Sequence, residues 1–120
     1  MNATDFDLRP VLGDWVNYDE QTTGILGVRV AQRRGVLTVQ ISSARAGDPD
    51  DWGITVGAAF GLRARPSEAA GFSAHYRLAS STVLLAAYLN KRLLVVDAYS
   101  VYTNGDGRAN FFQRDHFYLP

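Results

Sequence analysis

Between Leu26 and Ile41 the chain alternates with a period of two. Val28 and Val30 bracket Arg29, and Leu37, Val39 and Ile41 bracket Thr38 and Gln40, with Arg34-Gly35 between the two runs. That period marks a half-buried β-strand, because successive side chains point to opposite faces. The same grain recurs along the whole chain. It is cut by stretches of Gly, Pro, Asn, Asp and Ser at 19–21, 34–35, 44–51, 63–71, 79–81, 90–91 and 104–107, which supply the backbone freedom of turns. Eight apolar segments remain, at 13–18, 24–31, 36–42, 52–60, 72–78, 82–89, 93–102 and 109–119. Short strands at this regular spacing predict a sandwich or a barrel. The helical signals are few: Thr4 and Asp7 stand at capping-box-like spacing over 4–9, and a turn is expected over 66–70.

The hairpin registers test one another. A two-residue turn at Arg34-Gly35 sets Val30 against Val39, Val28 against Ile41 and Arg29 against Gln40, leaving one face apolar and the other polar. Centring the next hairpin on Asn90-Lys91 pairs Ala87 with Leu94 and Leu85 with Val96. Centring the last on Gly105-Asp106 pairs Ala98 with Gln113, Val96 with Asp115 and Leu94 with Phe117, and sets Asp97 against Arg114 on the opposite face. One interior follows: Trp15, Asn17, Leu26, Val28, Val30, Leu37, Val39, Ile41, Trp52, Ile54, Val56, Ala58, Phe60, Phe72, Ala74, Tyr76, Val83, Leu85, Ala87, Leu94, Val96, Ala98, Phe111 and Phe117. The expectation is an all-β, eight-stranded antiparallel up-and-down barrel with a short N-terminal helical turn, spanning 1–120 as one domain. A β-sandwich is the competing architecture.

Composition narrows the partners. Twelve basic residues balance twelve acidic ones, so the basic stripe of a nucleic-acid binder is missing, and no nucleic-acid partner is expected. Of the twelve, all but Lys91 are Arg, the bias expected of a GC-rich bacterium. With no cysteine there is no disulfide framework and no thiolate metal site, and a cytoplasmic protein is expected. The N-terminal stretch is acidic and lacks the apolar core of a secretory signal. The longest apolar run, 83–89, is too short for a membrane helix, and no membrane partner is expected.

Gly13-Asp14-Trp15-Val16-Asn17 resembles the G-x-W opening of the calycin superfamily, in the G-x-W-x-N form found in avidins. Asp115-His116-Phe117 resembles the D-x-F of the final avidin strand. The resemblance implies a barrel with Trp15 at its floor, and Asn17 and Asp115 at the polar head of a ligand. Avidins enclose biotin with several further Trp residues, whereas this chain has only Trp15 and Trp52, so biotin is not the expected ligand. A purely structural role for Trp15 and Asn17, as end plug and backbone cap, stands beside that implication.

His75 and His116 alternate with inward residues and are expected at the surface, so no metal site and no cofactor are expected. Asp48-Pro49-Asp50-Asp51 lacks the spaced oxygen ligands of a calcium loop and reads as a solvated turn. The two long loops, 44–51 and 63–71, are expected to crowd one end as a ligand mouth.

Three functions compete. The leading expectation is a barrel holding an apolar small molecule, lined by Trp15, Asn17, Trp52, Phe60, Phe72, Val96, Phe111, Gln113 and Phe117. The second is a cofactor-independent cyclase or isomerase acting on a hydrophobic metabolite, with Asp115 as acid or base, its pKa raised by an apolar cavity, and Tyr76 orienting the substrate. The third is a filled barrel acting as an interaction module. The outward face of the last three segments carries Leu84, Ala86, Tyr88, Leu93, Val95, Tyr99 and Phe112, and predicts a homodimer. A reversed parity, with Asp97, Tyr99 and Arg114 lining the cavity, is the rival to that surface.

Overall fold

The computed structural model describes residues 6–63, 67–103, 105 and 107–120. A 3-10 turn, Arg9–Val11, precedes nine strands: β1 (Gly13–Asn17), β2 (Ile25–Arg33), β3 (Val36–Ser43), β4 (Asp51–Val56), β5 (Ala58–Phe60), β6 (Gly71–Arg77), β7 (Ser81–Asn90), β8 (Leu93–Tyr102) and β9 (Phe111–Tyr118). They form one antiparallel sheet in the order β4-β3-β2-β1-β9-β8-β7-β6-β5. The two strands at the ends of that order are consecutive in the chain, separated only by Gly57, so the sheet curls into a nearly closed barrel. Nine strands stand where eight are expected, because the 52–60 segment breaks as it passes from β3 to β6. Gly57 still donates its N–H to Leu37 O at 2.9 Å. A Cβ at Gly57 would lie 2.5 Å from Leu37 Cδ2 and 3.0 Å from Ser73 O, so the closure point has room only for glycine.

The same segment reverses parity. β3 advances two residues from Gln40 to Ser42 while β4 advances three from Asp51 to Ile54, a bulge at Trp52-Gly53 with Gly53 at φ +85°. Trp52 therefore points inward, and Ile54, Val56, Ala58 and Phe60 turn outward and are exposed, contrary to the uninterrupted alternation. Leu26 is displaced by the same device: a bulge between Ile25 and Gly27 buries Ile25 and exposes Leu26.

The Arg34-Gly35 hairpin has the expected register, with both turn residues at positive φ. The β8–β9 pairing is also as expected, from Leu94↔Phe117 to Asp97↔Arg114. The β7–β8 hairpin turns one residue later, at Lys91-Arg92, both at positive φ. Ala87 then faces Val96 and Leu85 faces Ala98, a two-residue slip that leaves every side chain on its expected face. The Gly105-Asp106 turn and the 66–70 turn fall partly on residues outside those described, as does Thr4; the helical turn itself lies at Arg9–Val11.

Leu94, Val96 and Ala98 join the core, which overturns the reversed parity. The outer wall of β7–β9 carries exposed Leu84, Tyr88, Tyr99 and Phe112, with Tyr99 stacked on Phe112 at 5.4 Å. Within it Arg114 grips Asp97 by two hydrogen bonds, Nε–Oδ1 at 2.7 Å and Nη2–Oδ2 at 3.0 Å. Those bonds hold the Asp97 carboxyl below its ordinary value and raise Arg114.

Strand directions alternate, so the β3–β4 junction (Ser43 to Asp51) and the β5–β6 junction (Phe60 to Gly71) lie at opposite ends, and the two expected loops do not form one mouth. The lower end is plugged by the N-terminal segment. Leu8, Val11 and Ala69 are buried there, and Trp15 donates its indole N–H to Val11 O at 2.9 Å. Asp7 binds the β5–β6 connection through Asp7 N–H to Ser67 O and Ala69 N–H to Asp7 O, both 2.9 Å. Phe117, Ile41 and Leu85 are fully buried in the core, each contributing about 1.5–3 kcal/mol by burial. Among the described residues no helix is long and apolar enough to cross a membrane.

Candidate ligand-binding site

The upper end gathers the start of β4, the starts of β7 and β9, and the ends of β3, β6 and β8. The β4 bulge swings Trp52 inward, where its ring meets Tyr76 edge-on at 5.4 Å. Tyr76 reaches across from β6, its hydroxyl 2.8 Å from Val39 O and 2.9 Å from Gly53 O. Burial first, and the Asp51 charge second, push the Tyr76 phenol above its ordinary value.

Inward parity carried up from Val83 reaches Ser81, and from Ala98 it reaches Ser100. The register places Ser100 opposite Val83 and Ser81 opposite Tyr102, so the two serines are diagonal neighbours on the inner face. Ser81 is 0% and Ser100 1% exposed, and Trp52 is 8% exposed. The Ser81 and Ser100 hydroxyls and the Trp52 indole N–H have no hydrogen-bond partner among the described residues. Three such groups at one end call for a physical reason, since nearly all buried polar groups in folded proteins are paired.

The 44–50 connection covers this end. Arg45 lays its guanidinium carbon 5.3 Å from the Trp52 ring centre and 5.4 Å from that of Phe111, and its Nε is 3.0 Å from Asp48 Oδ2. The side chains of both ions are largely buried, at 13% and 8% exposure, so Asp48 is not the solvated residue that the loop's acidic composition predicts. The backbone there is pinned: Ala44 N–H donates to Gly24 O at 2.8 Å and Arg45 N–H to Ser43 Oγ at 3.0 Å.

Of the residues expected to line a ligand, Trp52, Tyr76 and Phe111 meet here. Trp15, Phe72, Val96 and Phe117 are packed in the core. Phe60 is exposed on the outer wall near the lower end. Phe111 and Gln113 have inward parity but are exposed, because β9 pairs with β1 only at Val16↔Tyr118 and Asn17↔Phe117, leaving the wall open above. Asn17 is buried with both ends of its amide engaged, Nδ2 donating to Ile25 O and Oδ1 accepting from Asp19 N–H. Half-buried Asp115 does lie near Asn17. The two line a hollow of about 350 Å³ with Tyr18, Asp19, Leu93, Arg114 and His116, most of them exposed and polar, so Asp115 does not lie in an apolar interior. His75 and His116 are exposed, and among the described residues no three His, Asp or Glu side chains converge as metal ligands.

Ser81, Ser100, Arg45 and Asp48 are absent from the sequence-based expectation. The serines carried a usable signal, namely polar residues at inward positions of two otherwise apolar strands. The spacing of Arg45 and Asp48 in a loop before a Trp carries no comparable signal. No protein family matches this chain, and no curated protein or solved structure does either.

Proposed function

We propose that the protein is a small-molecule-binding barrel that receives its ligand at the upper end, beneath the 44–50 connection. The observation that carries this is the set of three buried, unpartnered polar groups, Trp52 Nε1, Ser81 Oγ and Ser100 Oγ. A ligand with an apolar body and a hydrogen-bond acceptor satisfies them: the indole N–H donates, and each hydroxyl donates or accepts. Binding is favoured over turnover. The one Tyr76 hydroxyl proton is shared between two main-chain carbonyls, and Asp115 lies at a separate hollow, so the pair expected to do acid–base work is not assembled. A calycin-like barrel is in keeping with Trp15 buried beside the lower plug, and a cytoplasmic setting with the lack of cysteine.

A second reading, a filled barrel acting through its outer wall, draws on the packed core and on the exposed Tyr99–Phe112 stack. Native mass spectrometry of freshly purified protein, followed by a thermal-shift screen of apolar carbonyl compounds, separates the two. The binding reading expects a hit that is weakened at least fivefold in the Ser81→Ala, Ser100→Ala double variant. A screen with no stabilising compound, or a hit indifferent to both serines, favours the filled barrel.

A further inference from the structure

Arg45 occupies a slot that its own geometry defines as a receptor. Its guanidinium is nearly equidistant from two aromatic rings, 5.3 Å from Trp52 and 5.4 Å from Phe111, inside the range over which a cation is attracted to a ring face. Asp48 closes the slot with a carboxylate that is 8% exposed and needs a counter-charge wherever it stays buried. A flat, weakly hydrated cation suits aromatic ring faces better than a compact ammonium does. Ser81, Ser100 and the Trp52 indole N–H stay unpartnered at this same end: Arg45 carries only donors and cannot accept from the indole, and no hydrogen bond joins it to either serine.

We propose that Arg45 is an internal stand-in, and that the slot formed by Trp52, Phe111 and Asp48 receives a planar cationic group of the ligand: an amidinium, a guanidinium or a protonated nitrogen heterocycle. This rests on the binding reading above, and it adds the chemical class of the ligand's head and the means of its exclusion. The moving part is the Arg45 side chain and not the loop, since Ala44 N–H is tied to Gly24, just before β2, and Arg45 N–H to Ser43 of β3, while Asp48 stays in place. An incoming cation replaces Arg45 on the same two rings and the same carboxylate, and its remainder carries the hydrogen-bond acceptor to the unpartnered groups at this end. Arg45 competes at the high effective concentration of a tethered group, so affinity for the free head group is weak in the unaltered protein.

The test uses benzamidine as the planar cation and benzamide as its uncharged twin, titrated calorimetrically against the full chain. Arg45→Ala is expected to bind benzamidine at least tenfold more tightly than the unaltered protein, with no such gain for benzamide. Adding Asp48→Asn is expected to abolish the gain. A measurement on the unaltered protein guards against a folding defect in the variant: the Arg45 Nε–H resonance, displaced by the two rings, is expected to move toward its free position as benzamidine is added. Equal benzamidine affinity with and without Arg45, benzamide binding as well as benzamidine, or an Arg45 resonance indifferent to benzamidine overturns the proposal. The two ideas fail separately. A benzamidine gain in Arg45→Ala alongside indifference of an apolar ligand to Ser81 and Ser100 sinks the deeper site and leaves the slot. Loss of an apolar ligand on serine replacement, with no benzamidine gain, does the reverse.

Discussion

Replacing Ser100 by Ala removes one oxygen from a site that is 1% exposed and holds no partner for it. A hydroxyl buried without a hydrogen bond costs about 1–3 kcal/mol relative to water, and the alanine escapes that cost. Against this stands the lost packing of one atom, smaller than a methyl-sized void and worth less than about 1 kcal/mol. The balance is a gain of about 1 kcal/mol in the ligand-free protein. An unfolding entropy of about 2.1 cal/mol/K per residue over 120 residues amounts to about 0.25 kcal/mol/K, so the melting temperature is expected to rise by about 4 °C. Affinity moves the other way: one lost hydrogen bond of about 1 kcal/mol weakens the ligand about fivefold. Differential scanning calorimetry checks the first sign, provided any co-purified ligand is stripped, because bound ligand stabilises by itself. A melting temperature lowered by several degrees refutes the reasoning, since it means the hydroxyl has a partner such as an ordered water and belongs to the fold.

Four further outcomes are expected. Tyr76→Phe leaves Val39 O and Gly53 O without the phenol donor and destabilises by about 1–2 kcal/mol, a calorimetric drop of about 4–8 °C. Gly57→Ala drives a methyl against Leu37 Cδ2 and Ser73 O and costs about 1–3 kcal/mol, read from the urea midpoint at unchanged slope. Arg114 depresses the Asp97 pKa, so its contribution is complete above the ordinary carboxylate value of about 4 and is lost as pH falls through the folded value; the half-exposed Arg114 keeps that contribution small, and Asp97→Asn flattens this acid limb of a pH–stability curve. The exposed Leu84, Tyr88, Tyr99 and Phe112 predict a dimer by light scattering, dispersed by Phe112→Arg, and a monomer at micromolar concentration rejects it.

Where side-chain alternation is uninterrupted, the sequence was a sound guide. The β2–β3 and β8–β9 registers, the Asp97–Arg114 pair and the inward face of β7 and β8 all follow from it. It fails where one extra residue enters a strand. Ile54, Val56, Ala58 and Phe60 lie outside because of the bulge at Trp52-Gly53, and period-two reasoning has no way to register an inserted residue. The small residues of that stretch hinted at the answer: Thr55, Gly57 and Ala59 are the ones that fit where β4 and β5 close against β6. At the candidate site the aromatic walls Trp52, Tyr76 and Phe111 were legible as large inward-parity residues. Arg45 and Asp48 were not, because their burial comes from a loop folding back over the barrel end, which no local pattern encodes.

The two tryptophans make the case for a functional asymmetry between the barrel ends. Both are buried, and both stand beside a connection that covers an end of the sheet. At the lower end the chain supplies Trp15 with an acceptor, Val11 O at 2.9 Å, from a 3-10 turn whose following residue leads directly into β1. The plug is further tied down by the paired backbone of Asp7 with Ser67 and Ala69. At the upper end Trp52 receives no acceptor among the described residues, and the covering side chain is an ion held by ring faces and one carboxylate while two serine hydroxyls at the same end go unmatched. An end that exists only to shield the core has every reason to satisfy its polar groups, since each one left open costs stability. The sequence does so at one end and not at the other. The unmatched end is therefore the one where a bound molecule, and not the chain, is expected to complete the hydrogen bonding.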